Sequence, residues 1–250
     1  MRRHLSSLER CQSGSLLDPR LRLALALTVI VMVISSTAIH FSLLVALLAL
    51  GTTIFIGLRW QALVRRLAQP LVIAFFLLLL RSLTGSEPLT EVHLPGFTLI
   101  AYADGLHAGL LLAGRVLAGA SVVLLLVSST SFTELMGALS WYRMPQGVVE
   151  TTLFAWRALF LLFDDAQVLY AAQKNRLGYV GYRQGLRSFG TLTGALVIKA
   201  FDNSQTLTTA MVQRGYDGNL PLLSHKPLHR GQLLATLLLI AAFGLIWSLS

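Results

Sequence analysis

The chain has little of what a soluble catalyst uses. Its 250 residues include one cysteine, Cys11, so no disulfide within the chain is possible and the redox compartment is not diagnosed. Only 12% of residues are charged, where ordinary soluble domains carry roughly a quarter. Acid is scarcer than base, 11 Asp and Glu against 20 Lys and Arg. No Gly-x-x-x-x-Gly-Lys-Ser/Thr phosphate loop occurs, so any ATP use falls to partners. Nor is there a Gly-x-Ser-x-Gly elbow or a Ser, His and Asp set at nucleophile-like spacing. The six histidines are scattered, and the pair at helical spacing, His225 and His229, brackets Pro227, which opposes a regular helix. No metal ligands, no cofactor and no catalytic residues are therefore expected.

What the chain has instead is apolar length. Hydrophobic residues make up 55% and mean hydropathy is +0.69, outside the range of soluble domains. The apolar residues cluster into runs approaching the roughly 20 helical residues that cross a bilayer. Five spans are read, at about 21–36, 41–58, 68–83, 106–127 and 233–249. Asp18 and Pro19 suit the cap and first position of the first one. A cleaved leader is the competing reading of that run; the mostly polar residues before it and the spans after it oppose it. The fold class expected is all-α: a polytopic membrane protein with an N-terminal bundle at 1–127, a cytoplasmic helical region at 128–230 and a last transmembrane helix at 231–250.

Orientation follows from base. The N-terminal segment, the link between spans two and three and the region 128–230 hold 18 of the 20 Lys and Arg. The link from Arg81 to Gly105 holds Glu87, Glu91 and Asp104 but no further base. Positive charge stays inside, so the N-terminus and the region 128–230 are placed in the cytoplasm. Arginines at an anionic lipid surface account for the net +9 without nucleic acid.

The cytoplasmic region reads as helices. Ser131 and Glu134 have capping-box spacing, and Phe132, Leu135, Met136 and Leu139 follow on one helical face until Met144-Pro145. A long helix fits from about Gln146 to Leu177, and a second from about Leu186 to Arg214 after a break at 178–185. The second contains Gly190-xxx-Gly194, a spacing that allows helices to cross closely. Arg115 falls within the fourth span, where a charge is costly and faces a partner; subunit contact and an internal polar tether are both open readings. Asp165 and Asp202, 11 and 12 positions before Arg176 and Arg214, could tie the two long helices together or lie on a solvated face.

One phrase occurs twice. Lys174-Asn175-Arg176-Leu177-Gly178-Tyr179 is followed by Val212-Gln213-Arg214-Gly215-Tyr216, each with an arginine ending a helical pattern and a glycine stopping it. Arginine's five fixed donors suit a carboxylate pocket or a row of carbonyls on another protein. Two matched prongs for a cytoplasmic partner are the expectation.

From Asp18-Pro19-Arg20 through Met144-Pro145 to Ala210-Met211-Val212-Gln213-Arg214-Gly215-Tyr216-Asp217-Gly218, the chain resembles the transmembrane T component of energy-coupling factor transporters, in the CbiQ-like branch linked to cobalt and nickel uptake. The resemblance is strongest from Ser128 to Pro221. It implies a subunit without chemistry of its own, in a prokaryotic inner membrane, that joins two ABC-type ATPases to a small CbiM-like substrate-binding S subunit. It further implies that Arg176 and Arg214 dock the ATPases, supported by Gly178, Gln213 and Gly215. The family's motif is Ala-Arg-Gly-like; Asn175 and Gln213 stand here for its alanine, and Leu177 for its first glycine. Without the resemblance, two other classes remain: an intramembrane lipid-processing transferase using Arg115, Asp164 and Asp165, and a membrane scaffold.

Overall fold

A computed structural model describes residues 18–57, 60–82, 84, 88–94, 97–216 and 230–248. Eight helices are described: α1 Pro19–Ser35, α2 Ile39–Phe55, α3 Trp60–Ser82, α4 Ala103–Ser129, α5 Phe132–Trp141, α6 Gln146–Asn175, α7 Tyr182–Gln213 and α8 Arg230–Ser248. Among the described residues, the link between α3 and α4 carries the one departure from helix. Strands β1 Pro88–Leu94 and β2 Phe97–Tyr102 pair antiparallel, with Leu94 opposite Phe97.

All five expected spans coincide with helices. By length and apolarity α3, α8 and the portion of α4 from Asp104 qualify as membrane-crossing. α1 and α2 have 17 residues each, about 26 Å at 1.5 Å per residue, short of a hydrocarbon core of about 30 Å. α3 begins eight residues before the expected 68, because Trp60 to Leu67 continue the helix through Arg65 and Arg66 with no glycine or proline to stop it. Pro70 stands inside α3.

The chain divides into two compact units, 1–138 with 226–250, and 139–225. In the first, α4 is the hub. Ala118 and Val122 of α4 close a core with Ala26, Val29 and Val33 of α1 and Phe41, Val45 and Ala49 of α2. α8 packs on α1, where Gly244 leaves room beside Met32. α3 lies against the start of α4 because Gly105 and Gly109 have no side chains: a Cβ on Gly105 would strike the Arg81 and Thr84 carbonyls, and one on Gly109 would come within 3.2–3.3 Å of Arg81 and Leu78. This pair, not Gly190-xxx-Gly194, is the small-residue crossing of the described fold. Around Gly190 and Gly194 an added Cβ would meet open space. Outward-facing Leu27, Val31, Leu43, Leu47, Val72, Phe75 and Leu238 stay exposed, as side chains bathed in lipid would.

The expected cap at Asp18 forms through the backbone. Its extended residue accepts from the Leu21 and Arg22 amides, while its carboxylate makes no capping bond. The capping box of α5 forms in full: the Ser131 amide donates to Glu134 Oε2 at 3.0 Å, and the Glu134 amide donates to Ser131 Oγ at 3.3 Å.

The second unit is an antiparallel pair. α6 and α7, 30 and 32 residues long, are joined by three polar contacts in descending register. Ser188 Oγ donates to the Gly178 carbonyl at 2.6 Å, Gln173 Nε2 to Thr191 Oγ1 at 3.1 Å, and Lys199 Nζ to Asp165 Oδ1 at 2.7 Å. Asp165 thus ties the two helices together. Asp202 lies exposed with no side-chain partner among the described residues.

Candidate functional site

Both copies of the repeated phrase end a helix, and they end it the same way. Arg176 closes α6 at φ −94° and ψ 18°; Arg214 closes α7 at φ −92° and ψ 10°. At the first end the Gln173 carbonyl accepts from the amides of Arg176 and Gly178, and the Lys174 carbonyl from Leu177. At the second, the Met211 carbonyl accepts from Arg214 and Tyr216, and the Val212 carbonyl from Gly215. This is the six-to-one, five-to-two pattern of a Schellman motif, twice.

The register of these bonds sets which residues correspond. Leu177, at φ 60°, takes the left-handed place that Gly215 takes at φ 82°. Gly178 corresponds to Tyr216, and its lack of a side chain serves a different purpose. A Cβ there would lie 2.9 Å from both the Gln173 carbonyl and Ser188 Oγ. Gly178 lets the turn seat against α7; Gly215, with no neighbour within 4 Å among the described residues, supplies backbone freedom. The residue string separates the two only by Leu177, which stands between Arg176 and Gly178 where Gly215 follows Arg214 directly.

Arg176, Gln213 and Arg214 are exposed, and neither guanidinium meets a partner among the described residues. The prongs match locally, yet they do not stand side by side. Arg176 lies at the turn, where Gly178 contacts Ser188. Arg214 is 26 residues farther along one continuous helix, roughly 39 Å at 1.5 Å per residue. Two free, cation-bearing ends held that far apart by a stiff pair can engage two separate surfaces and transmit displacement between them.

Arg115 resolves toward the internal tether. Its Nη2 donates to the carbonyl of Ser36, the C-cap that follows α1. Arg22 of α1 returns the contact: its Nη1 donates to the carbonyl of Ser129, the last residue of α4. Each helix therefore supplies an arginine to the carbonyl end of the other, satisfying an orphan acceptor and the negative end of its dipole. Sequence reasoning singled out Arg115 by its depth but missed Arg22. The equal spacing was the available signal, since 22 to 36 and 115 to 129 are both 14 residues.

The groups invoked for a lipid transferase are engaged otherwise, Arg115 with Ser36 and Asp165 with Lys199. Among the described residues no three His, Cys, Asp or Glu are grouped to hold a metal ion. Cys11, His225 and His229 lie outside the described residues.

Residues 11–225 match the CbiQ family, described as cobalt transport protein. The chain is 31% identical over 137 residues to the cobalt transport protein CbiQ of Salmonella typhimurium, covering 53% of this chain and 61% of that protein. It is 28% identical over 157 residues to the energy-coupling factor transporter transmembrane protein EcfT of Staphylococcus aureus, covering 58% and 56%. A third relative, a putative fused cobalt transport protein CbiMQ of Methanocorpusculum labreanum, is 30% identical over 117 residues, 47% of this chain and 20% of that one. The chain spans about half the length of the curated relatives it matches. A match across 11–225, with both arginine-bearing ends inside it, means that the chain belongs to the CbiQ family and is a CbiQ-like T component of the energy-coupling factor type.

Proposed function

We propose that this chain couples two cytoplasmic ABC-type ATPases to a small membrane subunit that binds the substrate, in an importer for cobalt or nickel. The observation that carries the reading is the pair of arginine ends, Arg176 and Arg214, that share dihedrals and hydrogen-bond pattern and have no side-chain partner among the described residues. Each ATPase would hold one end. Nucleotide binding draws the ATPases together, the ends move with them, and α6 and α7 pass that motion to the membrane helices. Gln213 and Gly215 shape the second end, and Leu177 and Gly178 the first. The fused CbiMQ relative supports a CbiM-like partner, and the name of EcfT supports an energy-coupling system. The metal ion is cargo, chosen by the S subunit. The apolar helices support a multi-pass protein with about five transmembrane helices, family membership supports a prokaryotic inner membrane, and the distribution of base supports a cytoplasmic N-terminus.

The test is co-purification in detergent of the tagged wild type and the double variant Arg176→Glu, Arg214→Glu. Loss of ATPase from a double variant that keeps its helical content and elution volume supports two-point docking. Full retention, or no ATPase with the wild type, refutes it.

A further inference from the structure

The two ends share a backbone and differ in charge. Around the α6–α7 turn, Lys174, Arg176, Arg183 and Arg187 are all exposed, and no Asp or Glu occurs from 166 to 201. The nearest carboxylate, Asp165, is already bound to Lys199 at 2.7 Å. None of the four cations has a side-chain partner among the described residues. Around the second end, Arg214 is the one Lys or Arg between 200 and 225, with Asp202 and Asp217 on either side in sequence.

Apolar exposure follows the same division. Leu177, Val180, Tyr182, Leu186 and Phe189 are interleaved with the four cations, Tyr182 being 84% exposed. Tyr179 is held back from that surface, its hydroxyl bonded to Gln173 Oε1 at 2.7 Å and its ring 4.9 Å from that of Tyr170. A surface that concentrates unpaired cations around exposed aromatic and aliphatic groups fits a partner face with clustered carboxylates and an apolar centre.

We infer that the α6–α7 turn is an electrostatic dock for an acidic protein surface, engaged by Lys174, Arg183 and Arg187 as well as Arg176, whereas the α7 end docks through shape and one arginine. This rests on the proposal that ATPases are the partners and deepens it: the two docking events are physically unequal. The turn captures first, by long-range attraction, and its hold weakens with salt; the α7 end seats afterwards and responds little. Charges at an interface rim set association rate and salt dependence more than the strength of the final complex, and screening over about 10 Å at 0.1 M salt makes the distinction readable.

The experiment uses the full chain in phosphatidylcholine nanodiscs with the ATPase subunits that co-purify with it, measuring association rates at 50 and 500 mM salt, values chosen to straddle the screening range. For the wild type the rate should fall about tenfold across that range, within what electrostatic steering supplies. The triple variant Lys174→Gln, Arg183→Gln, Arg187→Gln should start about tenfold slower and lose most of that salt dependence. Arg214→Gln should dissociate faster and keep the wild-type salt dependence. The swap Lys174→Arg, Arg183→Lys, Arg187→Lys should behave as wild type, which separates charge from fold. An unchanged salt dependence in the triple variant overturns the inference and leaves the functional proposal standing. Salt dependence that appears only when phosphatidylglycerol is added to the discs assigns the patch to lipid and also overturns it. Failure of any ATPase to bind the wild type overturns both.

Discussion

Gly178→Ala is the substitution for which the geometry gives the firmest number. The new Cβ would sit 2.9 Å from the Gln173 carbonyl oxygen and 2.9 Å from Ser188 Oγ. Neither neighbour can retreat freely. The Gln173 carbonyl is the acceptor of the Gly178 amide itself at 2.9 Å, and Ser188 Oγ donates to the Gly178 carbonyl at 2.6 Å. Relief of the clash therefore breaks or stretches two hydrogen bonds, each worth about 0.5–1.5 kcal/mol net. Adding the displaced packing of the turn, the α6–α7 pair should lose about 2–3 kcal/mol. Global unfolding of a two-unit membrane protein is not a clean two-state process, so the assay is amide hydrogen exchange in detergent over peptides spanning 165–195. Protection there should fall by about 30-fold to 150-fold, at about 1.4 kcal/mol per tenfold, while α1 to α4 remain unchanged. Removing one of the clashing atoms should restore part of the loss, so that the double variant Gly178→Ala, Ser188→Ala costs less than the sum of its parts. Protection in Gly178→Ala within about threefold of wild type would refute the close approach.

The other predictions concern positions where sequence and structure assign different costs. Gly215→Ala should cost about 1 kcal/mol, because φ is +82° and nothing lies within 4 Å among the described residues, so backbone strain is what is added; exchange at the end of α7 reads it, and a loss as large as that of Gly178→Ala would contradict the open surroundings. Arg115→Leu and Arg22→Leu should each destabilise the first unit by about 1–3 kcal/mol by orphaning a helix-terminal carbonyl; equal thermal midpoints in detergent for variant and wild type would show that the reciprocal caps contribute nothing. Gly105→Val should lower that midpoint sharply through collision with the Arg81 and Thr84 carbonyls, whereas Gly190→Ala and Gly194→Ala, in open space within a helix, should be neutral or stabilising by up to about 1 kcal/mol. The reverse order would restore the crossing expected from Gly190-xxx-Gly194.

Much of this protein is determined by local chemistry, and to that extent its sequence alone suffices. Spans, the α5 capping box and the two arginine-ended helices depend on apolar length, side-chain spacing and glycine's backbone freedom, all properties of neighbours in the chain. The start of α3 was less legible, because amphipathic turns around Arg65 and Arg66 lack the apolar run by which a span is read. What required the tertiary structure were relations between distant residues. Gly178 seats the turn against Ser188 while Gly215 has no such neighbour among the described residues, a difference in packing that the shared Arg and Gly letters do not carry. Gly105 and Gly109 pack while Gly190 and Gly194 do not, since the same spacing serves a crossing only where another helix arrives. Arg22 and Arg115 cap each other's helices across 107 and 79 residues of chain, a pairing fixed by the antiparallel approach of α1 and α4. The same holds for the roughly 39 Å that separates the two arginine ends: a repeated phrase announces two docking points, but only the antiparallel course of α6 and α7 sends them apart.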